Sequence, residues 1–207
     1  MIYLDDYQEP FDAIRDFENE LSKFTGAPYA ITTDCCTHAI EVALRLKKIT
    51  GPVEFPAWTY LSVLMTMHKL EISYQLTDTD WFSEEGYEFK NTNIWDMARS
   101  LHPNMYQPGT VQCISFGKTK PIEIGRGGCI LTDDKDLATR AMQMRYDGRD
   151  LFNFKPWVTQ KKFNVGFHYY LRPEDAVVGL NKLKSRDFIT QHRDLFNYPD
   201  CRTITIE

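Results

Sequence analysis

The sequence predicts an α/β fold in which helices are layered on a largely parallel sheet. Three observations carry this. Short apolar or β-branched runs alternate with longer segments of helical spacing. Polar residues and glycines sit at the junctions between them. No internal repeat, low-complexity tract or composition break divides the 207 residues, so one substantial core is expected.

Phe11, Ile14, Phe17, Leu21 and Phe24 give an amphipathic helix ended by Gly26. Tyr29–Thr33 reads as a strand. Residues 36–49 return to helical spacing, with Ala39, Val42, Ala43 and Leu46 on one face. Val53–Phe55 is a short strand stopped by Pro56, and residues 59–70 form a third helix. Ile72–Leu76 and Asn93–Trp95 read as strands, as does the apolar run Thr110–Ile114. Cys129–Thr132 is a strand and Leu137–Tyr146 a helix. Pro173 starts a helical pattern that extends to Leu195, and residues 147–170 are an aromatic, irregular excursion. Residues 1–190 are taken as one large domain and 191–207 as a short C-terminal remnant.

The bulk composition excludes several classes. A hydrophobic share of 43% marks a folded chain, and a net charge of -5 argues against a general nucleic-acid binder. No apolar run approaches membrane-spanning length and no signal peptide is visible, so no membrane association and a cytoplasmic location are expected. Five cysteines, two of them adjacent at 35 and 36, form neither a disulfide framework nor a C-x-x-C pattern. His38, His68, His102, His168 and His192 show no metal-ligand spacing among themselves, so no metal is expected. Gly117-Lys118-Thr119 ends like a P-loop but lacks its earlier glycine, and Gly125-Arg126-Gly127 lacks the third glycine of a dinucleotide fingerprint.

The chemistry is carried by two groups. Lys120 follows the strand ending at Ile114, within Ser115-Phe116-Gly117-Lys118-Thr119-Lys120, and the turn Gly125–Gly128 comes next. Asp96 stands at the exit of Asn93–Trp95. An amine that can form a Schiff base and an acid that can pair with a pyridinium nitrogen are what pyridoxal phosphate (PLP) requires. The junction Asp34-Cys35-Cys36-Thr37-His38 supplies a helix N-terminus and a hydroxyl suited to a phosphate. Taken singly, each has a plain reading: Lys120 as a surface lysine, Asp96 as a helix cap, Tyr60 as core packing, Ser115 as a turn residue. Together they lie at strand-to-loop junctions, where open α/β sheets bind ligands.

With these residues the chain resembles the DegT/StrS-type nucleotide-sugar aminotransferases, PLP enzymes of fold type I. The family's serine-phenylalanine and threonine-lysine pattern matches Ser115-Phe116 and Thr119-Lys120. Its glutamate-aspartate-alanine-alanine-glutamine stretch aligns with Trp95-Asp96-Met97-Ala98-Arg99, and its proline-x-aromatic-threonine-aromatic stretch with Pro56–Tyr60. Asp34–Thr37, Arg145–Arg149 and Gly166–Leu171 align with further signatures in family order.

The resemblance implies a three-layer α/β/α sandwich with a mostly parallel central sheet. It makes Lys120 the covalent attachment point and proton carrier, and places Asp96 on the ring nitrogen. Tyr60 would stack on the ring, and Thr37, His38 and Ser115 would bind phosphate. His168 would reach a partner's site in a homodimer. A nucleotide-linked keto sugar would be the substrate and glutamate the amino donor.

The sequence also departs from the pattern. Arg99 replaces a glutamine that meets the cofactor's phenolic oxygen, Cys35 and Cys36 replace small polar and glycine positions, His168 replaces asparagine, and Tyr170 replaces arginine. The family continues into a small domain, so that part of the enclosure is expected to be missing or supplied by a partner. The alternatives are a non-catalytic homologue that keeps the fold for binding, or a sugar dehydratase. The latter is opposed by the retained lysine.

Overall fold

Apolar residues at helical spacing bury one side of the first helix, α1 (Phe11–Thr25), with Ile14, Phe17 and Leu21 almost fully enclosed. Gly26 ends it at φ 79°, its N–H donating to the Ser22 carbonyl at 2.9 Å. This computed structural model describes residues 1–82, 85–151, 153, 156–188 and 198–206. The remaining elements are β1 (Tyr29–Thr33), α2 (Cys36–Leu46), β2 (Val53–Pro56), α3 (Leu61–Lys69), β3 (Tyr74–Thr77), β4 (Tyr87–Phe89), β5 (Ile94–Asp96), β6 (Val111–Ser115), β7 (Gly128–Thr132), α4 (Lys135–Met144) and α5 (Pro173–Ser185).

Side chains alternate across the central strands and feed two cores. Ile31, Val111, Cys113 and Ile130 face α2, α3 and α4. Ala30, Ile114, Cys129 and Leu131 face α1 and α5. A sheet apolar on both faces must be covered on both, and the result is a helix–sheet–helix sandwich.

The expectation of a mostly parallel sheet is corrected. Five strands are ordered β1-β7-β6-β5-β4, and only β5–β6 is parallel. β2 and β3 form a separate parallel pair, set beside β4 by an antiparallel bridge from Glu54 to Lys90. The connections explain this. Parallel neighbours need a long crossover, which α3 supplies between β2 and β3. β4 and β5 are joined by residues 90–93 alone, too few to cross over. β7 returns from β6 through the helix-free loop 116–127. β4 itself was not foreseen.

Helix ends also differ from the sequence reading. Lys48 (φ 54°) lies just beyond α2, short of Ile49, and α3 begins at Leu61 because Tyr60 is still extended. α5 stops at Ser185, where Arg186 turns left-handed (φ 58°); the continuation expected to Leu195 and His192 both fall among residues 189–197, outside the described residues. Residues 198–206 pack back on the large unit, with Cys201 buried and its N–H donating to the Ala57 carbonyl at 3.0 Å.

A buried ion pair ties α1 to β1 and the end of α4. Arg145 donates to Glu18 and to the Thr32 carbonyl, while Glu18 also accepts from the Thr32 N–H at 2.7 Å. Among the described residues no helix is long and apolar enough to cross a membrane. All five cysteines are free thiols.

Candidate active site

The pairing register brings the carboxyl ends of β1, β5 and β6 to one edge, together with the start of β7. A cavity of about 610 Å³ opens there. Its lining includes Lys120, Asp96, Arg99, Thr37, Tyr60 and Ser115. Six of the eight residues singled out from the sequence therefore meet in one space.

Asp96 is the last residue of β5 and is 7% exposed. Its Oδ1 accepts the Ala98 N–H at 3.0 Å and its Oδ2 the Tyr87 hydroxyl at 2.9 Å. No helix follows, so the helix-cap reading is set aside. Burial raises the Asp96 pKa, outweighing the Ala98 N–H, the Tyr87 hydroxyl and the Lys120 charge, which all lower it. The Tyr87 phenol is itself pushed well up by burial and then by Asp96, so it stays a donor. Thr59 lies 2.6 Å behind it. This relay fixes the carboxylate's orientation.

Lys120 sits on the β6–β7 loop, where its N–H donates to the Gly117 carbonyl at 3.2 Å. Burial lowers its pKa, Asp96 and Cys36 oppose this, and Arg99 lowers it further. The outcome is an amine below the ordinary lysine range. Arg99, 7% exposed, lies with its guanidinium carbon 5.2 Å from the centre of the Trp81 ring.

The N-terminus of α2 forms another wall. No side chain caps it, and Cys35, Cys36 and Thr37 line the cavity. Thr37 Oγ1 is 2.7 Å from Ser62 Oγ on α3. β7 presses close: a Cβ on Gly128 would lie 2.5 Å from the Cys36 nitrogen. Only glycine fits there.

Two expected residues lie elsewhere. His38 does not line the cavity; its Nδ1 is 2.5 Å from Asp34 Oδ1 and its ring stacks on Tyr169 at 3.6 Å. Burial works to lower the His38 pKa, but Asp34 and Cys35 prevail and push it up to about 9. Burial likewise works to raise Asp34, yet His38 and Arg126 hold it below the usual carboxylate range. His168 is on the surface with Nδ1 2.9 Å from Asp147 Oδ2. Tyr60 is 62% exposed at the mouth, edge-on to Tyr198. Trp81 and Tyr198 complete the aromatic wall and were missed, because neither stands at a strand-to-loop junction. Lys118 and Arg126 add cations.

The sequence profile of the DegT/DnrJ/EryC1/StrS aminotransferase family matches residues 5–82 and 105–198. The chain belongs to this family.

The family match includes Lys120 but skips 83–104, the stretch holding Asp96 and Arg99, so those two rest on geometry. The chain is 22% identical to the spore coat polysaccharide biosynthesis protein SpsC of Bacillus subtilis (strain 168), covering 87% of this chain and 59% of SpsC. Among solved structures it resembles the sugar aminotransferase CalS13 from Micromonospora echinospora, with TM-score 0.68, 16% identity, and coverage of 84% of this chain and 61% of that one. It also resembles NtdA from Bacillus subtilis, solved with bound cofactor PMP, with TM-score 0.65, 19% identity, and coverage of 83% and 48%. The chain thus spans less than two thirds of these relatives' length. The likeness to the solved structures supports this fold.

Proposed function

We propose that this chain carries the cofactor site of a PLP-dependent aminotransferase that moves an amino group, with glutamate as donor, to a keto sugar carried on a nucleotide. The observation that carries this reading is the meeting of Lys120 and Asp96 in one cavity whose wall is an uncapped helix N-terminus. The donor set fits PLP: an amine, a buried carboxylate, and a positive helix end with a hydroxyl for a phosphate.

PLP supplies an aldehyde and an electron-withdrawing ring that make the C–H bond beside a bound amine acidic. Lys120 would be the residue that holds it, and its Nζ would take and return the proton. Asp96, held by Tyr87 and Ala98, would offer its carboxylate to the ring nitrogen. Thr37 and Ser115 serve the phosphate, while His38 supports that loop through Asp34. Tyr60 and Tyr198 bound the open side, and Arg99, lining the same cavity, would meet the phenolic oxygen.

A homodimer is part of the proposal, with His168 directed to the partner's site. Of the aromatics expected to mark the interface, Trp157 is 50% and Phe163 45% exposed. Phe167 and Tyr169 stack on each other, and Tyr170 packs on Phe11 and Tyr146. The interface therefore rests on fewer rings than the sequence offered.

A single-turnover assay tests the reaction class. PLP-loaded protein given glutamate is expected to release one 2-oxoglutarate per site and regain the starting spectrum on addition of a nucleotide-linked keto sugar. No 2-oxoglutarate would leave a binding role as the better reading.

A further inference from the structure

The junction between β1 and α2 brings together three metal-binding side chains of different kinds. A carboxylate oxygen of Asp34, the sulfur of Cys35 and a ring nitrogen of His38 all lie within 4.8 Å of one another. The local backbone causes this. Cys35 is extended at φ -162° and ψ 160°, and His38 falls on the first turn of α2, so the helix turns back over the loop. The spacing of the histidines alone carries no sign of a site that uses one histidine, one cysteine and one aspartate.

The loop is held firmly beneath these side chains. Cys35 bridges Gly127, and the Asp34 N–H donates to the Tyr169 carbonyl at 2.8 Å. Arg126 Nη2 holds the second Asp34 oxygen at 2.6 Å, and Tyr169 stacks flat on His38. Two of the three side chains thus have partners that would orient them around an ion.

We infer that Asp34, Cys35 and His38 form a site for one zinc-class divalent cation, with the fourth position open. The mixed N, O and S set suits a borderline-soft ion. A calcium or magnesium ion would need several oxygens, and this cluster offers one carboxylate. Thiolate and carboxylate together balance a charge of two, with neutral imidazole as the third ligand. Zinc bonds of about 2.0–2.3 Å place tetrahedral ligand atoms roughly 3–4 Å apart. His38 Nδ1 and Asp34 Oδ1, now 2.5 Å apart, would part to that spacing as the ion replaces the proton between them, and side-chain rotation would bring the Cys35 sulfur, within 4.8 Å, to the same ion. The positive end of α2 opposes a cation, but acts more weakly than a metal–thiolate bond. The site does not depend on the aminotransferase reading.

The test uses chelator-treated protein. Zinc binding is measured by equilibrium dialysis, and cadmium binding by its thiolate charge-transfer absorbance. One equivalent of each is expected. Cys35→Ser is expected to abolish the cadmium band. His38→Ala is expected to weaken zinc by no less than the roughly 10–100-fold that outer-shell partners cost. Circular dichroism checks that each variant is folded, and either folded variant suffices. Cys36→Ser is expected to retain the equivalent. Substoichiometric binding, or undiminished binding in either ligand variant, overturns the site, as does loss of binding in folded Cys36→Ser.

Discussion

At the residue scale, the proposed chemistry rests on an amine made less basic by burial and one neighbour and more basic by two others. Burial and Arg99 lower the Lys120 pKa while Asp96 and Cys36 raise it. With a folded value below the ordinary lysine range, the free-amine fraction at a given pH exceeds that of a surface lysine. Reductive methylation followed across pH and read by peptide mass is expected to label Lys120 at lower pH than the other lysines. Arg99→Gln is expected to move that midpoint up and Asp96→Asn to move it down; unchanged midpoints in both would place the two charges out of reach of the amine. Asp96→Asn is also expected to leave Tm within a few degrees while slowing the glutamate half-reaction by at least about 10²-fold. A wild-type rate would reduce Asp96 to a turn residue.

Of the site, the meeting of those two groups in one cavity was most legible, because Asp96 ends a recognisable strand and Lys120 lies on the loop that follows another. Least legible was Tyr87, whose hydroxyl anchors Asp96 from a strand of three residues. Nothing in that short segment separates it from a loop. The resemblance implied a phosphate role for His38, whereas helical rotation turns its ring onto Asp34 and Tyr169, away from the cavity lining.

At the element scale, the site depends on how tightly β7 approaches α2. A methyl group at Gly128 would meet the Cys36 nitrogen at 2.5 Å and the Cys35 carbonyl carbon at 2.6 Å, both backbone. Gly128→Ala is therefore expected to destabilise by about 1–3 kcal/mol and to weaken phosphate binding, as read by chemical denaturation and inorganic phosphate titration. Wild-type behaviour would mean that the loop yields freely. The Glu18–Arg145 pair does similar work from the opposite side of β1. Arg145→Met leaves Glu18 buried without its partner and is expected to cost about 3–5 kcal/mol. The sheet's mixed character belongs to this scale as well. Alternating strands and helices announce parallel neighbours, but the direction of β7 is set by a loop without a helix, and period-two patterning carries no sign of direction.

At the scale of the whole molecule, helices cover both faces of the sheet and leave its carboxyl edge as the place where a ligand can reach backbone amides and strand-end side chains. Residues 198–206 return to this edge and set Tyr198 opposite Tyr60 and Trp81. Their contribution was invisible in the sequence, since contact between positions more than 100 residues apart leaves no local pattern. Exposed Trp157 and Phe163 suit association of two copies. Light scattering with cofactor titration is expected to show a dimer whose PLP affinity falls on dilution; a monomer binding equally tightly would remove the shared site. The central claim, that Lys120 is the group that takes the cofactor, has a more direct test. Protein incubated with PLP is reduced with borohydride, digested and mapped by mass. The expected result is one pyridoxyl group per chain, on Lys120. Modification confined to Lys118, or spread evenly over surface lysines, would contradict it.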